Sequence, residues 1–94
     1  MHHVHVVVEG FVQGVGFRVF VLREAHALEL AGRVWNRADG AVEFEAEGDR
    51  VKLERLIAAV RRGPAAARVE RASVRWDEGP ARHDGFTIAA TRPR

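Results

Sequence analysis

An α+β domain, with two helices on one face of an antiparallel sheet, is what this chain of 94 residues predicts. Three observations predict it. Two segments carry apolar residues at helical spacing, several others are β-branched or alternate strictly, and glycine or proline marks most of the turns between them. The resulting order is strand, helix, strand, strand, helix, strand, with a short extra strand at the end.

Val4, Val6 and Val8 alternate with His3, His5 and Val7, and β-branched density continues to Val12. This predicts a central strand with both faces partly covered. From Phe17 to Leu30, Phe17, Val21, Ala25 and Leu28 recur at helical spacing, Phe20 widens the stripe, and Gly32 is expected to end the helix. Next, Val34 and Asn36 point one way and Arg33, Trp35 and Arg37 the other, before Ala38-Asp39-Gly40 turns the chain into Val42–Glu47. This is a hairpin whose outward face carries Glu43, Glu45 and Glu47. Asp49 fits an N-cap, and Leu53, Leu56, Ile57 and Val60 form the apolar stripe of a second helix that Gly63-Pro64 stops. Val69–Trp76 reads as a strand, Glu78-Gly79-Pro80 as a turn and Phe86-Thr87-Ile88 as a short last strand. A frayed Arg92-Pro93-Arg94 tail is expected to follow. With right-handed crossovers this order is the split β-α-β arrangement of the ferredoxin-like fold, in one domain spanning residues 1–94. That fold hosts many functions, so function has to be read from a site.

Composition excludes several classes. The chain has no cysteine, which removes disulfides, thiolate ligands, iron–sulfur clusters and thiol nucleophiles, and fits a cytoplasmic location. It has no stretch with the length and apolarity of a membrane span and no signal-peptide pattern, so no membrane partner is expected. The sequence pI of about 10.4 reflects arginine usage, since the formal net charge is only +2 and Lys52 is the one lysine. The aromatic and cationic stripes of a nucleic-acid platform are missing, and an outward row of glutamates would repel a phosphate backbone. Ser73 is the only serine and lacks the glycine-flanked setting of an activated nucleophile, and no tyrosine is present. His2, His3 and His5 are the one candidate metal cluster, and a terminal histidine run of this kind is more often solvated than ligating.

Phosphoryl recognition without a metal is the chemistry left standing. Gly10-Phe11-Val12-Gln13-Gly14-Val15-Gly16-Phe17-Arg18 reads as a strand end, a tight loop and a helix start. The first N–H groups of a helix have no partner within it and carry the positive end of its dipole. The amides of Gly14, Val15, Gly16, Phe17 and Arg18 can therefore surround an anion, with the glycines permitting the required dihedrals. Arg18 is the telling residue. A cation in the first helical turn, with no acid before Glu24, opposes the dipole unless an anion binds. Its planar fork also matches phosphate. The loop lacks the Gly-Lys-Ser/Thr of a nucleotide-binding P-loop and the third glycine of a dinucleotide fingerprint. Asn36 and Gln13 are the only side-chain amides of their kinds, and each lies beside a glycine turn. On a strand next to the loop, Asn36 could hold a water in line with phosphorus, or it could serve the turn. No titrating base is needed where the leaving group is already a carboxylate.

The nine residues from Gly10 to Arg18, together with Gly32-Arg33-Val34-Trp35-Asn36-Arg37-Ala38-Asp39-Gly40-Ala41-Val42, resemble the two signature motifs of the acylphosphatase family, and the similarity extends over essentially the whole chain. The resemblance implies the ferredoxin-like fold and a cofactor-free enzyme that converts an acyl phosphate and water to a carboxylate and inorganic phosphate. It also implies that Arg18 and the loop amides bind the phosphoryl group and that Asn36 orients the attacking water. The chain departs from the family pattern where Arg33 and Trp35 exchange the usual aromatic and polar positions; both are expected on the sheet face opposite Asn36. The expectation is a cytoplasmic monomer acting on a small-molecule acyl phosphate without metal, nucleic acid or membrane. The alternatives are a non-catalytic phosphate- or acyl-phosphate-binding module, such as those inside larger hydrogenase-maturation carbamoyltransferases, and an RNA-binding ferredoxin-like domain.

Overall fold

The alternating valines form β1 (His2–Phe11), with Val4, Val6 and Val8 turned into the core and His3 and His5 on the other face. The structure, a computed structural model, describes residues 1–93; Arg94, the last residue of the expected tail, lies outside the described residues. After β1 come α1 (Phe17–Ala27), β2 (Ala31–Asn36), β3 (Val42–Gly48), α2 (Arg50–Arg62), β4 (Arg68–Glu78) and β5 (Phe86–Ile88). The sheet order is β4-β1-β3-β2-β5. The first four strands pair antiparallel, as in the ferredoxin-like fold, and both helices pack on the face that carries Val6, Val34, Val42 and Phe44.

β5 is the exception to the expected antiparallel sheet, because it runs parallel to β2 and makes the sheet mixed. Direction explains it. β4 ends at one edge of the sheet, and residues 79–85 carry the chain across the non-helical face to the far edge. Turning back along β2 from there is possible only in the parallel sense. The crossing is held by Glu47, whose carboxylate oxygens each accept the Arg82 N–H at 3.0 Å, while the His83 N–H reaches Oε2 at 3.3 Å. The Gly32 N–H donates to Gly85 O at 2.9 Å at the far side.

Helix ends obey local chemistry, with one surprise. Asp49 caps α2 as expected, accepting the N–H groups of Val51 and Lys52, and Gly63 closes it. Gly32, however, does not end α1. Glu29 does, in the left-handed region at φ 57°. The Leu30 N–H reaches Ala25 O and the Glu29 N–H reaches His26 O, the paired bonds of a Schellman motif. Gly32 instead lies within β2 at φ 149°, where a Cβ would sit 2.0 Å from Glu45 O. It is a close-packing glycine, not a helix stop.

The tail is also ordered further than expected. The Arg92 N–H donates to Asn36 O at 2.9 Å, Arg92 O accepts the Ala38 N–H, and its guanidinium lies 3.9 Å from the centroid of the Trp35 ring. Trp35, on the sheet face opposite Asn36 as expected, is only 2% exposed for this reason, with its Nε1–H donating to Glu43 at 3.2 Å. The outward glutamates are likewise not a bare acidic surface. Glu43 and Glu47 are buried, and each of the three meets a cation or a histidine from a neighbouring element.

Candidate functional site

β1, β2 and β5 run in one direction, and their C-terminal ends meet the N-terminus of α1 at one end of the sheet. Gly14 and Gly16 take φ 75° and 77°, left-handed values that cost glycine little, and no atom would meet a Cβ within 4 Å at either. Their use is therefore conformational. Val15, between them, packs against the core and pins the loop, so its side chain is an anchor and only its backbone is available at the site. Gly16 occupies the N-cap position of α1 with no side-chain cap, and the first turn holds no acid. The leading N–H groups of α1 thus face outward with the dipole behind them.

Arg18 lies in that first turn, half-buried, and among the described residues no side chain pairs with it. It lines a concavity of about 190 Å³ with Gly14, Gly16, Phe17, Gln13 and Asn36. The sequence-predicted residues are therefore brought together, although Arg18 and Asn36 come from different elements. Val12, Val19 and Ile88 complete the lining and give the cavity an apolar side. Asn36 is the last residue of β2. Its backbone is held from both edges, by its register with Val42 on β3 and by the Arg92 N–H on its carbonyl. Its side-chain amide makes no hydrogen bond to the described residues, which leaves both ends of the amide for a ligand or water.

The hairpin beyond Asn36 is stiffened by charge. Arg37 forks onto Asp39 at 2.6 and 3.2 Å and approaches Glu43 at 3.6 Å. The hydrogen bond to Asp39 chiefly, with the nearby carboxylates, raises the Arg37 guanidinium above its ordinary pKa despite opposing desolvation. Gln13, a lone amide in the sequence, has a structural task. Its Nε2 donates to Arg37 O at 2.7 Å and to Ala41 O at 2.8 Å, joining the glycine loop to the hairpin. Spacing along the chain could not have disclosed a bond across 24 and 28 residues.

The histidine cluster has other commitments. His3 contacts Glu47 and Gly79 O, and His5 contacts Glu43, both on the non-helical face. Among the described residues no group of three or more histidine, aspartate or glutamate side chains is arranged to hold a metal ion. Among the described residues no helix is long and apolar enough to cross a membrane.

The acylphosphatase family model matches residues 4–88. An acylphosphatase of Salinibacter ruber is 47% identical over 81 residues, which cover 86% of this chain and 85% of the relative. The crystal structure of acylphosphatase from Bacillus subtilis superposes with a TM-score of 0.92 at 42% identity, covering 95% of this chain and 99% of that one. HypF from T. kodakarensis contains a similar unit: TM-score 0.83, 33% identity, 96% of this chain but only 12% of the larger protein.

Proposed function

Because the chain belongs to the acylphosphatase family, we propose that it hydrolyses the carboxyl–phosphate bond of acyl phosphates by direct attack of water on phosphorus. The amides of Gly14, Val15, Gly16, Phe17 and Arg18 surround the phosphoryl oxygens, and the Arg18 guanidinium neutralises their charge as a bidentate donor. Asn36 accepts a hydrogen bond from the water through Oδ1 and holds it in line. The oxygen–phosphorus bond to water forms as the bond to the carboxyl oxygen breaks. An acyl phosphate dianion and water thereby give a carboxylate and a phosphate monoanion that keeps both water protons. The carboxylate is a good leaving group, so the step needs no general acid and no metal.

The observation that carries this reading is that Arg18 and Asn36, 18 positions apart in sequence, line one concavity with the glycine loop, while among the described residues no carboxylate or histidine lines it. A binding module would need the cradle and Arg18 but not an uncommitted amide fixed beside them. The experiment is hydrolysis of benzoyl phosphate beside a phosphate monoester, each with a chelator. Turnover of the acyl phosphate alone, unchanged by the chelator, is expected, and Arg18→Ala should lower kcat/KM by about 10³-fold. Phosphate binding without turnover would select the module, and turnover restored only by added magnesium or zinc would refute the metal-free step.

A further inference from the structure

We propose that Gln13 is a positioning residue for the water-holding step, setting the distance between the phosphate cradle and Asn36. The proposal rests on the hydrolytic reading above. The cradle belongs to the β1–α1 loop and Asn36 to the end of β2, and β3 lies between those strands in the sheet. In-line attack requires the two halves to keep one separation within a fraction of an ångström, yet no strand pairing joins β1 directly to β2. Gln13 bridges that gap. Both of its amide protons are spent on the hairpin, on the carbonyl of Arg37 next to Asn36 and on the carbonyl of Ala41 across the turn.

A purely structural role fits poorly with the partners those carbonyls already have. Arg37 O also accepts the Gly40 N–H at 3.1 Å, and Ala41 O accepts the Arg37 N–H at 2.8 Å. Removing Gln13 therefore orphans neither carbonyl, because each has two lone pairs and keeps one bond. The hairpin closes without Gln13, whose two hydrogen bonds instead tie the loop to it. Gln13 also lines the same concavity as Arg18 and Asn36, so the tether sits at the site itself.

The test is a double-mutant cycle on benzoyl phosphate hydrolysis with Gln13→Met, which keeps length without donors, and Asn36→Ala. Gln13→Glu, which keeps length and places an acceptor against the carbonyls, serves as a second variant, and circular dichroism reports folding of each. Gln13→Met is expected to lower kcat by about 10- to 10²-fold while the inhibition constant for inorganic phosphate changes less than about 3-fold. In the Asn36→Ala background the same substitution should lower kcat less than about 3-fold, because a group that acts through Asn36 has nothing left to position. Losses that multiply in the double variant, or a folded Gln13→Met enzyme with wild-type kcat, would overturn the proposal while leaving the hydrolytic reading intact. A wild-type protein that turns over no acyl phosphate would refute that reading first, and this inference with it.

Discussion

Asn36→Ala separates chemistry from architecture more cleanly than any other single change at the site. The backbone of Asn36 is fixed by strand pairing with Val42 and by the Arg92 N–H, and its side chain makes no hydrogen bond to the described residues. Truncation thus removes no internal bond, and stability should change by no more than about 0.5 kcal/mol, a shift of about 2–4 °C in Tm for a domain of this size. The catalytic cost is set by different terms. In the proposed mechanism the amide gains its decisive interaction as water bonds to phosphorus, so its loss should appear as a fall in kcat of about 10²- to 10³-fold, or about 2.7–4.1 kcal/mol of barrier. In the same mechanism KM and the inhibition constant for phosphate depend on the cradle and Arg18, and both should move little. Steady-state kinetics on benzoyl phosphate with a thermal melt of the same sample decide the matter. A folded variant with near-normal kcat would return Asn36 to a turn role, and a raised KM at normal kcat would make it a ground-state binding group.

Three further outcomes follow from local geometry. Glu29→Gly should raise stability by about 0.5 kcal/mol, since relief of about 1–2 kcal/mol of left-handed strain exceeds the added chain entropy and the loss of an exposed pair with Lys52; Glu29→Ala, which keeps the strain, should not, as urea denaturation would reveal. Gly32→Ala should cost about 3 kcal/mol or more because its Cβ meets Glu45 O, whereas Gly16→Ala should stay folded at a cost of about 1–2 kcal/mol and instead weaken phosphate inhibition. Asp77 is held below its ordinary pKa by the Glu78 N–H first and by Arg82 second, so its contribution is present above the unfolded value of 3.8 and fades as pH falls through the lower folded value; Asp77→Asn should make the loss of stability below about pH 4 shallower.

What the sequence disclosed was whatever local periodicity encodes. The stripe of Leu53, Leu56, Ile57 and Val60, the Asp49 cap, the valine alternation of β1 and the three-residue β5 were all legible, because each depends on residues within a few positions of one another. The pairing of the cradle with Asn36 was legible through motif resemblance and strand order together. The Glu29 helix stop was not, since a charged residue in the left-handed region gives no compositional signal and the nearby Gly32 offered a false one. Strand parity put Trp35 on the right face but could not say that Arg92, 57 positions later, would cover it. For the same reason the row of glutamates looked like a solvated surface, when its far end is an acceptor for backbone carried across by residues 79–85. Glu43 and Glu47, buried and paired, do not form an exposed face that would repel RNA.

The meeting of three co-directional strand ends at one helix start has a kinetic meaning. The cradle itself is local, closed within the few residues from Val12 to Arg18, and loop entropy places little obstacle before it. Ile88 reaches the same concavity only after β5 finds β2, where Ile88 pairs with Val34 across most of the chain, and such distant parallel pairing is intrinsically slow. The turn can thus close before the concavity is complete during folding. Under the proposed function turnover needs the glycine loop and the end of β2 together, so recovered turnover is a stricter witness than phosphate binding that the chain has reached its native state.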